Sequence, residues 1–173
     1  LGGFPGTHEL NMGMPGMHGM YWNNIAISEA DLVIAVGMRF DDRVTGKLKD
    51  FAPKAKIVHI DIDPAEIGKN VAPTVPIVGD VKEVLAALNR ETAPARHDPW
   101  RAFLADLKQK HPSIFIPEPD KLLPQYVIKS IYDASGNDAY YVTGVGQHQM
   151  WAAQYFWYDK PGGFITSGGL GTM

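Results

Sequence analysis

Apolar and polar positions along this 173-residue chain change period several times, and each change marks an element. Asp31-Leu32-Val33-Ile34-Ala35-Val36-Gly37 is apolar throughout between a charge and a glycine, the pattern of a fully buried strand of a parallel sheet. Lys56–Asp63 predicts a second strand closed by Pro64, and Pro76–Asp80 a short third one. Tyr21–Ala30 reads as a short helix. Asp80 stands where it can N-cap a helix over Val81–Arg90, whose Val81, Val84, Leu85 and Leu88 make one stripe for the sheet. After the polar, proline-bearing stretch Glu91–Pro99, Trp100–Lys110 is helical, with Trp100, Phe103, Leu104 and Leu107 aligned. Pro112, Pro117 and Pro119 mark an extended crossing segment. Pro124 then opens a helix to about Ala134 that buries Val127, Ile128 and Ile131. A strand over Ala139–Thr143 and a helical pattern over Gln149–Tyr158 complete the described order. Strands alternating with helices predict an α/β fold with a Rossmann-like parallel sheet, and the boundary to a second α/β domain falls within 91–120.

Four stretches carry the candidate chemistry. Val145-Gly146-Gln147-His148 follows a strand and leads into a helix, the place where open α/β sheets bind ligands. Gly146 allows close backbone approach, and Gln147 and His148 offer donors at a helix N-terminus, a favourable position for phosphate. Met38-Arg39-Phe40-Asp41-Asp42-Arg43-Val44 puts two arginines and two aspartates at another strand end. They are either local ion pairs of little energetic consequence or arginine forks presented to pyrophosphate. Asp61 and Asp63 either accept from ribose hydroxyls or cap the next turn; the usual G-x-G-x-x-G is missing, so no standard dinucleotide fingerprint is present. Residues 1–20, with Met12, Met14, Met17 and Met20 among glycines, form neither helix nor strand. That loop either covers apolar surface or lies against a flat ligand, and His18 is a packed or surface histidine unless a partner appears.

Composition narrows the field. Apolar residues make up 45% and charged residues 20%, which supports a packed core. A net charge of −3 leaves no basic footprint for nucleic acid. No apolar run reaches membrane-spanning length, and the absence of cysteine excludes disulfides and thiolate metal sites.

Several separated motifs agree on one family. Gly16-Met17-His18-Gly19, Ala35–Gly46, His59–Pro64, Pro76–Val81, Val145–Gln154 and Ser167–Met173 resemble the catalytic large subunit of acetohydroxyacid (acetolactate) synthases, thiamine-diphosphate enzymes. Gly146–Gln154 is the most specific of these. The resemblance implies that residues 1–92 are most of a central FAD-binding domain. Residues 93–120 would be a linker and crossing segment, and 121–173 the truncated start of a thiamine-diphosphate domain. It implies that His18, Gly37, Arg39, Asp41, Arg43, Val44, Asp61, Ile62, Glu66, Gly79, Asp80, Gln149, Met150, Gly168 and Gly169 line FAD, making a flavoprotein with a structural flavin. Val145, Gly146, Gln147 and His148 would hold the diphosphate of thiamine diphosphate, and Gly171 and Met173 its aminopyrimidine side.

The implied transferase reaction decarboxylates pyruvate and joins the remainder to a second 2-ketoacid, pyruvate or 2-ketobutyrate, in branched-chain amino-acid biosynthesis. The resemblance further implies Mg²⁺, a homodimer or larger assembly, and a regulatory small subunit. The location would be cytoplasmic in a bacterium, plastid or mitochondrial in a eukaryote. The family's activating glutamate and its Gly-Asp-Gly…Asn magnesium segment have no counterpart in these residues. The chain is therefore expected to be an internal fragment, inactive alone, with no catalytic or metal-ligating residue of its own. Another thiamine-diphosphate carboligase or oxidase, or a non-catalytic nucleotide-binding module, are the competing readings.

Overall fold

The computed structural model describes residues 2–112, 114, 116, 122–136 and 138–167. The chain forms two compact units, Asn24–Lys110 and a second made of Leu1–Asn23 with His111–Met173. The first junction falls inside helix α1 (Tyr21–Glu29).

In the unit Asn24–Lys110, β1 (Leu32–Val36), β2 (Lys56–Asp61) and β3 (Val75–Val78) form a parallel sheet in that order. Val33 pairs with Ile57 and Ala35 with His59, while Ile60 pairs with Ile77. The short helix α2 (Asp42–Thr45) follows β1, helix α3 (Val81–Glu91) lies against β2, and α4 (Asp98–Lys110) ends the unit. Ala35, Ile57 and Phe40 make a buried cluster with Val33, Phe51 and Val71 around it. His59 is wholly buried in edge-to-face contact with Phe40, and its Nε2 lies 2.9 Å from the Met38 carbonyl oxygen.

The elements agree with the hydrophobic pattern, but their burial does not. On β1, predicted to be fully buried, Leu32, Ile34 and Val36 are 48%, 50% and 41% exposed, and on β3 Val75 is also open. Both strands are outer strands of a three-stranded sheet, and alternation of side chains leaves one row on a face that nothing in this unit covers. The α3 stripe is divided for the same reason: Val84 and Leu88 are half-buried, whereas Val81 and Leu85 remain exposed.

In the other unit, α5 (Pro124–Ser135), β4 (Tyr141–Thr143), α6 (Gln147–Tyr155) and β5 (Phe164–Thr166) follow in order, and β4 pairs in parallel with β5. Parallel pairing requires a crossover, and α6 with the extended stretch after it supplies it. Tyr141, Ala152, Ala153, Phe156, Tyr158 and Phe164 form the core, joined by Met14, Ile128 and Tyr132. Aromatic rings dominate it, with Tyr141 and Phe156 centroids 4.1 Å apart and Tyr158 and Phe164 4.5 Å apart. Val127 and Ile131, predicted to be buried, are exposed, because only the Ile128–Tyr132 side of α5 meets this core. The N-terminal segment joins the unit through polar ties. Gly6 N–H donates to the Tyr158 carbonyl at 2.8 Å, and Thr7 donates twice to Asp159 Oδ1.

The hydroxyl of Tyr158 donates to the Ala152 carbonyl at 2.6 Å. Burial, helped by the nearby Tyr141 and Tyr132, pushes its ionisation well above the ordinary value near 10. The unfolded chain releases this proton near pH 10 while the folded chain keeps it, so its contribution is complete below that pH and is lost as pH rises above it. Tyr158→Phe is expected to cost about 1 kcal/mol at neutral pH through the lost hydrogen bond. The gap to the unaltered protein should then narrow in thermal denaturation as pH rises past about 10. A gap that stays constant across that range would refute the assignment.

Candidate functional site

The loop between β4 and α6 is shaped by two local facts. Gly146, the residue before the first helical turn, has φ 151° and ψ −171°, a backbone region essentially restricted to glycine. No side chain caps the helix there. The N–H groups of Gln149 and Met150 donate to the Gly146 carbonyl, and those of Gln147 and His148 precede the first carbonyl the helix could offer them. Gln147 and His148 are exposed, and the His148 ring folds back over the loop. A Cβ on Gly146 would lie 3.1 Å from His148 Nδ1. The strand ends are fastened together next to this loop: Thr143 and Thr166 hydroxyls lie 2.7 Å apart, and Gln149 Nε2 donates to Thr166 Oγ1 at 2.7 Å. A glycine-shaped loop, an uncapped helix start and an imidazole make a donor set that suits a phosphate or diphosphate. The helix begins at Gln147, two residues before the predicted start, so Gln147 and His148 belong to its first turn.

In the other unit the structure gathers Gly37, Arg39, Asp41, Arg43, Val44, Asp61, Ile62, Glu66, Gly79 and Asp80 at the carboxyl ends of β1, β2 and β3 and just beyond. Their carboxylates are largely engaged by neighbouring backbone. Asp41 Oδ1 accepts from Arg43 N and Val44 N, while its Oδ2 meets Arg39 at 3.5 Å. Asp61 accepts from Asp63 N, Asp63 from Ala65 N, and Asp80 from Lys82 N. Asp61, Asp63 and Asp80 thus make the capping contacts expected of them, Asp41 adds a cap to its ion pair with Arg39, and Glu66 Oε1 is occupied by Lys69 at 2.8 Å. Phe40 is held at φ 52°, costly for a side chain with a Cβ, and Asn70 Nδ2 secures it by donating to the Arg39 and Phe40 carbonyls. His18, Gln149 and Met150 belong to the other unit. Gly168, Gly169, Gly171 and Met173 lie outside the described residues. Among the described residues no group of three His, Asp or Glu side chains is placed to hold a metal ion. Nor is any helix long and apolar enough to cross a membrane.

Sequence reasoning missed Asn70, Thr143, Thr166 and Gln154 as organising side chains. The run Phe164-Ile165-Thr166 after two glycines is a legible strand signal for Thr166. Asn70 and Gln154 carry none, because their partners are distant in the chain.

Known proteins supply the remaining observations. Residues 1–88 match the family model for the central domain of thiamine pyrophosphate enzymes, and residues 144–173 match that for their C-terminal TPP-binding domain. The first match therefore runs through both compact units. The chain is 51% identical to an acetolactate synthase of Mycobacterium bovis and 52% identical to an acetolactate synthase large subunit of Corynebacterium glutamicum, covering 99% and 100% of itself and 29% of each relative. It is 50% identical to a chloroplastic acetolactate synthase of Nicotiana tabacum, covering 100% of itself and 27% of that protein. The chain thus spans less than a third of the length of these curated relatives.

The central-domain match corrects the flavin assignment. The domain over residues 1–88 is described by thiamine pyrophosphate and by no flavin. FAD as a cofactor, the flavoprotein description and the FAD-binding label for the parallel sheet are withdrawn. The residues assigned to flavin keep the local partners just described, and the α/β parallel-sheet architecture stands. With both family domains matched and half of all positions shared along the chain, it belongs to the thiamine pyrophosphate enzymes, and within them it matches the acetolactate synthases.

Proposed function

We propose that the full-length protein containing this chain is a thiamine-diphosphate- and Mg²⁺-dependent acetolactate synthase. Two pyruvates give one 2-acetolactate and one CO₂; with 2-ketobutyrate as the second substrate the product is 2-aceto-2-hydroxybutyrate. The observation that carries this reading is the glycine-shaped Val145–His148 loop, inside the stretch that matches the TPP-binding domain. When bound, thiamine diphosphate supplies the electron sink that decarboxylation of a 2-ketoacid requires. The chain's own part is to hold it. The amides and side chains of Gln147 and His148 would take diphosphate oxygens, Val145 and Gly146 would let the backbone approach, and Gly171 and Met173 would flank the aminopyrimidine. The Thr143–Thr166–Gln149 fastening keeps that loop at a fixed strand end, where a diphosphate meets oriented donors without reorganisation.

In this reading the enzyme is at least a homodimer and pairs with a regulatory small subunit, a reading supported by the large-subunit name of the Corynebacterium relative. It works in the cytoplasm of a bacterium or in a plastid or mitochondrion of a eukaryote. The test is a product assay on the full-length protein with pyruvate, thiamine diphosphate and Mg²⁺. Acetolactate and CO₂ in equal amounts are expected. Cofactor binding with other carboligation or oxidation products would point to a sibling enzyme, and no cofactor binding would leave a non-catalytic module.

A further inference from the structure

The methionine loop is held by side chains of two kinds. Trp22 Nε1 donates to the Met12 carbonyl at 2.9 Å, and Asn23 Nδ2 to the Gly13 carbonyl at 2.6 Å; both reach back only about one helix length of chain. Inside the loop, Met20 N–H donates to the Met14 carbonyl and Gly19 N–H to the Gly16 carbonyl, each at 3.0 Å. These bonds make the loop self-consistent, but they do not connect it to the site. Gln154 does. Its Nε2, partly buried, donates to the His18 carbonyl at 2.8 Å, across 136 positions of sequence. The same helix α6 begins at the Gly144–Gly146 loop, and Gln149 in its first turns ties it to Thr166. Ala152 and Ala153, both buried in the core, let the helix sit close against its neighbours between those two glutamines. Helix α6 is therefore a short rigid rod with the diphosphate loop at one end and a side-chain grip on the methionine loop at the other.

We propose that Gln154 is a positioning residue that couples the Met12–Met20 loop to occupancy of the Val145–His148 loop, so that ligand binding at the start of α6 orders the loop gripped at its end. The inference rests on the thiamine-diphosphate reading of the Val145–His148 loop. A side chain that merely glued the loop would protect it to the same degree with and without ligand, whereas a coupling residue makes that protection depend on the ligand.

The experiment is hydrogen exchange on the full-length protein, with and without saturating thiamine diphosphate and Mg²⁺, read at residues 144–148 and at the Gly19 and Met20 amides. In the unaltered protein, ligand is expected to slow exchange at both segments. At Gly19 and Met20 the slowing should be about two- to tenfold, the equilibrium equivalent of one neutral hydrogen bond. Gln154→Leu keeps the slowing at 144–148 and loses it at Gly19 and Met20. Gln154→Lys, which restores a donor, recovers part of it. Should the leucine variant fail to fold, Gln154→Glu, of equal size but without the N–H, carries the same comparison. Slowing at 144–148 with none at Gly19 and Met20 in the unaltered protein would overturn the coupling alone. So would coupling that persists in Gln154→Leu. No slowing at either segment would overturn the cofactor reading, and the coupling with it.

Discussion

Gly146→Ala is expected to weaken thiamine diphosphate binding to the full-length protein by about ten- to a hundredfold, the equivalent of the 1–3 kcal/mol that a side chain pays in a glycine-only backbone region. At φ 151° and ψ −171° a Cβ is strained whatever space surrounds it. Here the space is also taken, because the Cβ would come within 3.1 Å of His148 Nδ1 and 3.2 Å of its Cε1. Relief comes either by moving the imidazole off the loop or by changing the backbone, and both remove donors from the diphosphate position. Isothermal titration with thiamine diphosphate and Mg²⁺ measures the effect directly. An unchanged Kd would mean that this loop does not touch the ligand.

Gly19→Ala is expected to dismantle the methionine loop. No side-chain adjustment makes room there. The Cβ would lie 2.2 Å from the Met14 carbonyl oxygen, 2.5 Å from the Pro15 carbonyl carbon and 2.8 Å from its Cα, all backbone atoms. The loop has to open, and the bond from Met20 N–H to the Met14 carbonyl goes with it. Met20 and Trp22, both deeply buried, then lose their seating. Forced overpacking of this kind costs about 2–3 kcal/mol, so protection of the Met20 amide against hydrogen exchange should fall by about thirty- to a hundredfold. Protection that is retained would show that the loop has a second arrangement of equal stability, and the reading of Gly19 as a packing requirement would fail.

Much of this architecture is written in local patterns, and the reasons are visible at particular residues. Asp80 stands one position before an amphipathic run and caps α3 as its chemistry predicts. Pro124 opens α5 at the position where a missing N–H costs nothing. Three apolar segments bounded by turn residues became three parallel strands, and the specific run Gly146–Gln154 marked the candidate site because glycine before a helix start is a local feature. Ligand identity was legible only through resemblance, which reached thiamine diphosphate and overreached at FAD. The acids at the strand ends suggested a nucleotide, but Asp41, Asp61, Asp63 and Asp80 each accept from a backbone N–H two or three residues on.

What the sequence by itself determined is therefore the set of elements, their order, the parallel sheet and the glycine that opens α6, all of which depend on residues within a turn or two of one another. Only the tertiary structure decided which apolar faces are covered, as Leu32, Ile34 and Val36 show by standing open on a strand that reads as buried. It also decided that residues 1–23 pack with 111–173, through Gly6, Thr7 and Gln154, and that Asn70 holds the strained Phe40. Periodicity records that a side chain prefers to be buried or bonded; which surface or carbonyl meets it is settled by contacts between positions far apart in the chain, and these leave no periodic trace.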